Sequence, residues 1–161
     1  MSYSHILLPA TRELLDWAQK CEVPISLDIP DGRTPTDTDV KAVLESLNGY
    51  TVTFGGSAEH PHIQVDSVEM VDWYYEDPDP VMNRALGGPR RSPKQSVTIR
   101  PLRGKDQSIS FSFQGDIALI IRIAQELARR CGPLAAFATC DGIPAFFLPE
   151  GESPVWREPW L

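Results

Sequence analysis

His60-Pro61-His62 is the first place where side chains of this chain could do chemistry, because paired imidazoles resemble half of a metal site. Two histidines alone cannot complete a tetrahedral zinc shell. Asp66 or Asp72 would have to help, and no spacing in the sequence fixes them nearby. The simpler reading is a turn carrying exposed histidines. Cys140-Asp141 is the second place. A cysteine nucleophile needs a base held within reach of its thiolate. Cys140 falls at the end of a hairpin arm, where a cysteine usually packs, so it is assigned to packing. The chain has no G-x-S-x-G, no H-E-x-x-H and no phosphate loop. Gly87-Gly88 runs into Pro89 and does not open a helix. No catalytic residue, metal ligand or cofactor is therefore assigned. One alternative keeps chemistry alive: a small enzyme or ligand-binding domain with a pocket built from Trp73, His60, His62 and Cys140.

Charge is distributed more tellingly than the reactive side chains. The formal net charge is -7 and the isoelectric point is about 4.9. This excludes a general nucleic-acid binder, which must present positive charge to phosphates. It fits a basic protein partner. From Ala42 to Asn83 there is no Lys or Arg, and that span holds Asp66, Glu69, Asp72, Glu76, Asp77 and Asp79 around Trp73, Tyr74 and Tyr75. From Arg84 to Lys105 the balance reverses, with seven bases and no acid. Two arrangements follow. The basic segment folds back onto the acidic one, or the acidic aromatic stretch is an exposed binding surface, its acids speeding encounter and its aromatics anchoring the contact. The expected binding residues are those nine, Asp66, Glu69, Asp72, Trp73, Tyr74, Tyr75, Glu76, Asp77 and Asp79.

The element that positions everything else is DIALIIRIAQELARRC, Asp116 to Cys131. Asp116 is a good N-cap, and Gly132-Pro133 stops the run. Ile117, Ile120, Ile121, Ala124, Ala128 and Cys131 share one helical face, widened by Leu119, Ile123 and Leu127. Only Arg122, Gln125, Glu126, Arg129 and Arg130 are left for water. A helix so apolar lies buried against a sheet.

Around it the pattern predicts a strand at His5–Leu8 and a helix from Arg12 to about Glu22, capped by Thr11. A strand is expected at Ile25–Ile29, and a helix opening with Pro35 at its first position, with Val40, Val43, Leu44 and Leu47 on its inner face. Strands follow at Tyr50–Phe54 and His62–Val68, joined by a turn at Gly55–Pro61. Val71–Tyr75 continues the sheet, and Asp77–Pro93 is irregular. Gln95–Leu102 and Gln107–Gln114 form a hairpin. Leu134–Cys140 and Ile143–Leu148 form a second, turning at Asp141-Gly142. The order predicts an α+β single domain over 1–148, with about three helices and a mixed or mainly antiparallel sheet. A Pro-rich tail, 149–161, docks Trp156 and Trp160 on it. Three widely spaced cysteines form no disulfide framework, which points to a reducing cytoplasmic compartment. The start MSYSHILLPATRELL lacks a signal-peptide pattern, and no long uncharged apolar run predicts a membrane span.

In type, the whole chain resembles bacterial immunity proteins, small acidic proteins that neutralise toxins passed between competing cells. The acidic charge, the compact α/β plan, the short start MSYSHILLP and the missing catalytic motifs carry the resemblance. No residue is carried over by position. The resemblance implies a non-catalytic binding protein that occludes a basic toxin.

Overall fold

A computed structural model describes residues 4–73, 90–103, 109–138 and 142–156 of the chain. Among them run β1 (Ser4–Pro9), α1 (Arg12–Lys20), α2 (Asp37–Ser46), β2 (Tyr50–Gly56), β3 (Pro61–Ser67), β4 (Met70–Trp73), β5 (Arg90–Pro93), β6 (Ser96–Arg103), β7 (Ile109–Gly115), α3 (Ile117–Cys131), β8 (Leu134–Ala138) and β9 (Ala145–Phe147). Seven strands make one sheet in the order β2-β3-β6-β7-β1-β8-β9, and each pairing in it is antiparallel. The N-terminal strand sits between β7 and β8, so α3 carries the chain across β1 from one neighbour to the other. The fold is α+β with a mainly antiparallel sheet, as the sequence pattern predicts.

Why α3 forms where it does is visible at its ends. Asp116 accepts the Leu119 amide at 2.9 Å and also the Gln95 side-chain amide at 3.0 Å. Just before it, Gly115 has φ +138°, and a Cβ there would lie 2.1 Å from the Ser96 carbonyl oxygen. Only glycine fits so close an approach of two backbones. The Gly132 amide bonds back to the Ala128 carbonyl at 2.9 Å and ends the helix. α3 and α2 cover one face of the sheet. Ile120, Ile123 and Leu127 pack there with Val40, Leu44, Val97, Ile99, Phe111 and Phe113. α1 covers the other face only at the β8–β9 end, where Leu15 and Ala18 meet Ala135 and Phe146. β8 and β9 are thus buried on both faces, which explains their unbroken apolar sequences.

Several boundaries differ from the sequence expectations. Ile25–Ile29 is not a strand. Ile25 bonds locally to the Val23 carbonyl and accepts the Gln19 side-chain amide, so its backbone is satisfied without a ladder. Its apolar side chains still pack, Ile25, Leu27 and Ile29 all joining the α1 cluster. α2 begins at Asp37, with Thr36 as N-cap and Asp39 closing the capping box, so Pro35 lies outside the helix. β2 runs on to Gly56, into the stretch expected to turn. Within Val71–Tyr75, β4 reaches Trp73 but pairs with β5 in a separate two-stranded ribbon instead of joining the sheet. Arg90–Pro93, expected to be irregular, is that ribbon's second strand.

The C-terminal segment returns to the sheet. Phe146 and Val155 exchange backbone bonds of 2.8 Å in each direction, and Trp156 packs against the main cluster. Trp160 lies outside the described residues. Gln125, assigned to solvent by the helical wheel, is buried at 5% exposure and donates to the Leu148 carbonyl at 2.7 Å. That bond ties the segment after β9 to α3. Gln125→Ala removes this tie while the Gly151 amide still donates to the Leu148 carbonyl at 3.0 Å, so the expected cost is about 1 kcal/mol in urea unfolding. A loss below about 0.5 kcal/mol would show that the tie contributes nothing.

Candidate functional site

A groove of about 870 Å³ opens among the described residues at one end of the sheet. Its origin lies in how far the helices reach. On the helix-covered face of β3, Val65 is fully buried and Ile63 half-buried; Phe54, opposite Ile63 on β2, is 66% exposed. Along β7 the same drift runs from Phe113 and Phe111, both buried, to Ile109 at 36% exposure. On β6 it runs from buried Ile99 through half-buried Pro101 to exposed Arg103. The strands overrun α2 and α3, and the overrun is apolar. Val40 and Lys41 of α2 form one wall, and the turn residues Ala58, Glu59 and His60 form the other.

Polar groups sit at the rim. His62 lies over the Gly55–Gly56 backbone: a Cβ at Gly55 would stand 2.8 Å from its Nε2, and one at Gly56 2.9 Å from its Nδ1. Gly56 has φ +83° and passes so near the His60 carbonyl oxygen that a Cβ would approach it to 2.1 Å. The two glycines therefore shape the turn and seat the imidazole. His60, His62, Lys41, Arg103, Asp37 and Glu59 give the groove mixed charge. Among the described residues, no three His, Cys, Asp or Glu side chains gather as metal ligands.

The residues expected to form a catalytic or ligand pocket do not come together. His60 and His62 stand at the start of β3, whereas the β4–β5 ribbon bearing Trp73 leaves from its far end, where Ser67 bonds to Gln95 and Lys94 to Glu69. Cys140 lies outside the described residues. A pocket shared by Trp73 and the two histidines is thus corrected to a groove at the histidine end alone.

The expected acidic strip divides. Asp66 is half-buried and accepts Ser96 Oγ at 2.7 Å and Gln64 Nε2 at 2.9 Å, within the uncovered face of the sheet. Glu69 pairs with Lys94 and Asp72 with Arg91, both at 3.2 Å and both exposed. The basic arm folds back onto the acidic one at these positions. Such exposed pairs contribute little to stability, but they cut the field the acids present outward. Trp73 is paired through its backbone with Arg90. Tyr74, Tyr75, Glu76, Asp77 and Asp79 lie outside the described residues.

One charged cluster centres on a buried carboxylate answered by two half-exposed arginines, and it holds the groove wall in place. Asp39, in the first turn of α2, accepts both Arg33 guanidinium nitrogens, the Thr36 amide and hydroxyl, and faces Arg130 Nε at 3.5 Å. Arg33 also donates to the Arg130 carbonyl at 3.3 Å, beside the end of α3. The Arg33 hydrogen bond, helped by those from Thr36, holds the Asp39 carboxyl well below the usual carboxylate range despite its burial. Burial first, and the nearby Asp39 charge second, push the Cys131 thiol up to about 11. A thiol so protonated is no nucleophile. The cluster ties α2 to α3; it does not open into the groove.

Sequence reasoning missed the groove because its floor reads as ordinary strand alternation. Phe54, Ile63 and Ile109 carry the same pattern as their buried neighbours. No protein-family model matches this chain, and neither the curated proteins nor the solved structures contain a significant match to it.

Proposed function

We propose that this chain is a non-catalytic binding protein whose contact surface is the groove at the overrun end of the sheet. The supporting observation is the pair of large exposed apolar side chains there, Phe54 and Ile109, with half-buried Ile63 on the same face of one concave site. Apolar groups that water surrounds in the free protein are the groups a partner covers. The net charge of -7 favours a basic partner by speeding its approach. A toxin occluded by an immunity protein is the partner type these features and the resemblance in type suit best. The volume also lies in the range of small-ligand sites. The apolar floor with a mixed-charge rim suits a protein side chain inserted from outside.

Two variants separate the surfaces. Ile109→Lys places charge in the groove, while Asp72→Lys with Glu76→Lys and Asp79→Lys reverses the acidic strip. With a partner captured by the wild type, the groove variant is expected to raise Kd by about a hundredfold, the scale of hot-spot loss. The strip variant is expected mainly to lower the on-rate at low salt. If the groove variant binds as tightly as wild type, the contact lies elsewhere.

A further inference from the structure

The two edges of the seven-stranded sheet are treated differently. At β9 the returning segment seals the edge, because Val155 bridges to Phe146. At β2 no described residue pairs with the outer edge. Its sequence, Tyr50-Thr-Val-Thr-Phe-Gly-Gly56, carries no charge, no proline and no lysine, the usual protections of a free edge. β-branched and aromatic residues are strong strand formers. We propose that β2 pairs with β2 of a second copy of this chain, joining two sheets across a two-fold axis at Thr53.

The register follows from the hydrogen-bond alternation. The Val68 amide bonds to the Gly49 carbonyl, and the β2–β3 register is antiparallel, Tyr50 opposite Ser67. In such a ladder alternate residues turn their backbone groups to the neighbour. Gly49, Thr51, Thr53 and Gly55 therefore bond toward β3, and Tyr50, Val52, Phe54 and Gly56 present theirs outward. The strand's midpoint is Thr53. A two-fold there sets Tyr50 against Gly56 and Val52 against Phe54 of the other copy, and every outward group in the strand meets an outward group.

The side chains agree with this register. Phe54, 66% exposed, comes beside the other copy's Val52 on the helix-covered face. An aromatic beside a β-branched residue is a favourable cross-strand pair. Thr53 meets Thr53 on the uncovered face, where its own neighbour across the ladder is Gln64. Each chain carries -7, which opposes self-association in general. The uncharged strip is where two copies meet without that penalty. A basic partner strand would find no acid on β2 to answer it. Because the strands run antiparallel, the two grooves open toward opposite ends of the joined edge. Phe54 and Gly55 belong to both β2 and the groove lining, whereas Thr53 does not line the groove, so variants at Thr53 read the pairing apart from what fills the groove.

Sedimentation equilibrium tests it with the full chain. The wild type is expected to show a mass twice the 17.9 kDa of the chain at about 50 µM and to dissociate on dilution. Thr53 is exposed, so Thr53→Lys keeps the fold while setting two like charges against each other, and a monomer is expected. Thr53→Glu alone is likewise expected to be monomeric. Mixing the Lys and Glu variants is expected to restore the doubled mass, since opposite charges then face across the axis. Circular dichroism confirms the fold of each variant. A wild type that stays monomeric at this concentration overturns the proposal, whether or not its edge captures another protein. So does a dimer that Thr53→Lys leaves intact, or a Lys and Glu mixture that fails to pair.

Discussion

Ile120→Asp is expected to abolish folding, leaving a chain with no cooperative melt and most of the expressed protein insoluble. Ile120 is 1% exposed on α3, within the main core cluster. The substitution removes an apolar contribution of about 2–3 kcal/mol. It also puts an unpaired carboxylate where no described cation enters the cluster, a cost of several kcal/mol more. The sum rivals the whole stability of a domain this size, about 5–15 kcal/mol. Ile121, half-buried on the same helix, can let a carboxylate reach water, so Ile121→Asp should lower the melting temperature without erasing the transition. Ala118→Asp supplies the control. Ala118 is exposed in the first turn of α3, where a negative charge suits the helix dipole, so its melt should match the wild type. A wild-type melt for Ile120→Asp would mean that α3 is not the centre of the core.

The legibility of the sequence tracked how local each determinant is. α3 was readable to within one residue because its cap, its stop and its periodicity all lie inside the segment. The hairpins β6–β7 and β8–β9 were readable for the same reason. Ile25–Ile29 alternates like a strand, yet no ladder accepts it. Flanked by Pro24 and Pro30, it instead serves as an apolar strap beside α1, which its alternation does not reveal. Gln125 looked solvent-facing on a helical wheel and is covered by the segment after β9, a contact spanning 23 residues. The groove was invisible for a related reason. Whether Phe54 is core or surface depends on where α2 begins above it, and that start is fixed through Arg33, Asp39 and Arg130. The charge reversal between Ala42 and Lys105 was legible as a choice of two arrangements. The Asp72–Arg91 and Glu69–Lys94 pairs favour the folded-back one for the residues they join.

Asp39→Asn is expected to cost about 2 kcal/mol at neutral pH, because the carboxylate is buried and multiply bonded while Arg33 and Arg130 are about half exposed and partly screened by water. Asparagine keeps the shape and can still accept from Thr36, so the loss reads the charge. It falls on two helices at once, because the carboxylate caps α2 and answers Arg33 and Arg130 beside the end of α3. The pH dependence identifies the group. The folded carboxyl is held below its ordinary range, chiefly by Arg33, so the unfolded chain takes up this proton first. Its contribution is fully present above about pH 3.9, the usual aspartate value, and falls by about 1.4 kcal/mol for each further unit of acidity. Other carboxylates titrate in the same range, but they do so in both proteins and cancel in the difference. Urea unfolding of the wild type and Asp39→Asn should therefore differ by a constant amount from pH 8 to about pH 5, and the gap should close by about 2 kcal/mol on reaching pH 2.5. A gap that is already absent at neutral pH would mean that Arg33 and Arg130 do no more for Asp39 than water does. A gap that persists unchanged into acid would mean that the capping geometry, and not the charge, is what holds α2 against α3. In that case α2, and the groove wall it forms with Val40 and Lys41, should be insensitive to Arg33→Gln; if the charge matters, Arg33→Gln should reproduce part of the Asp39→Asn loss at neutral pH.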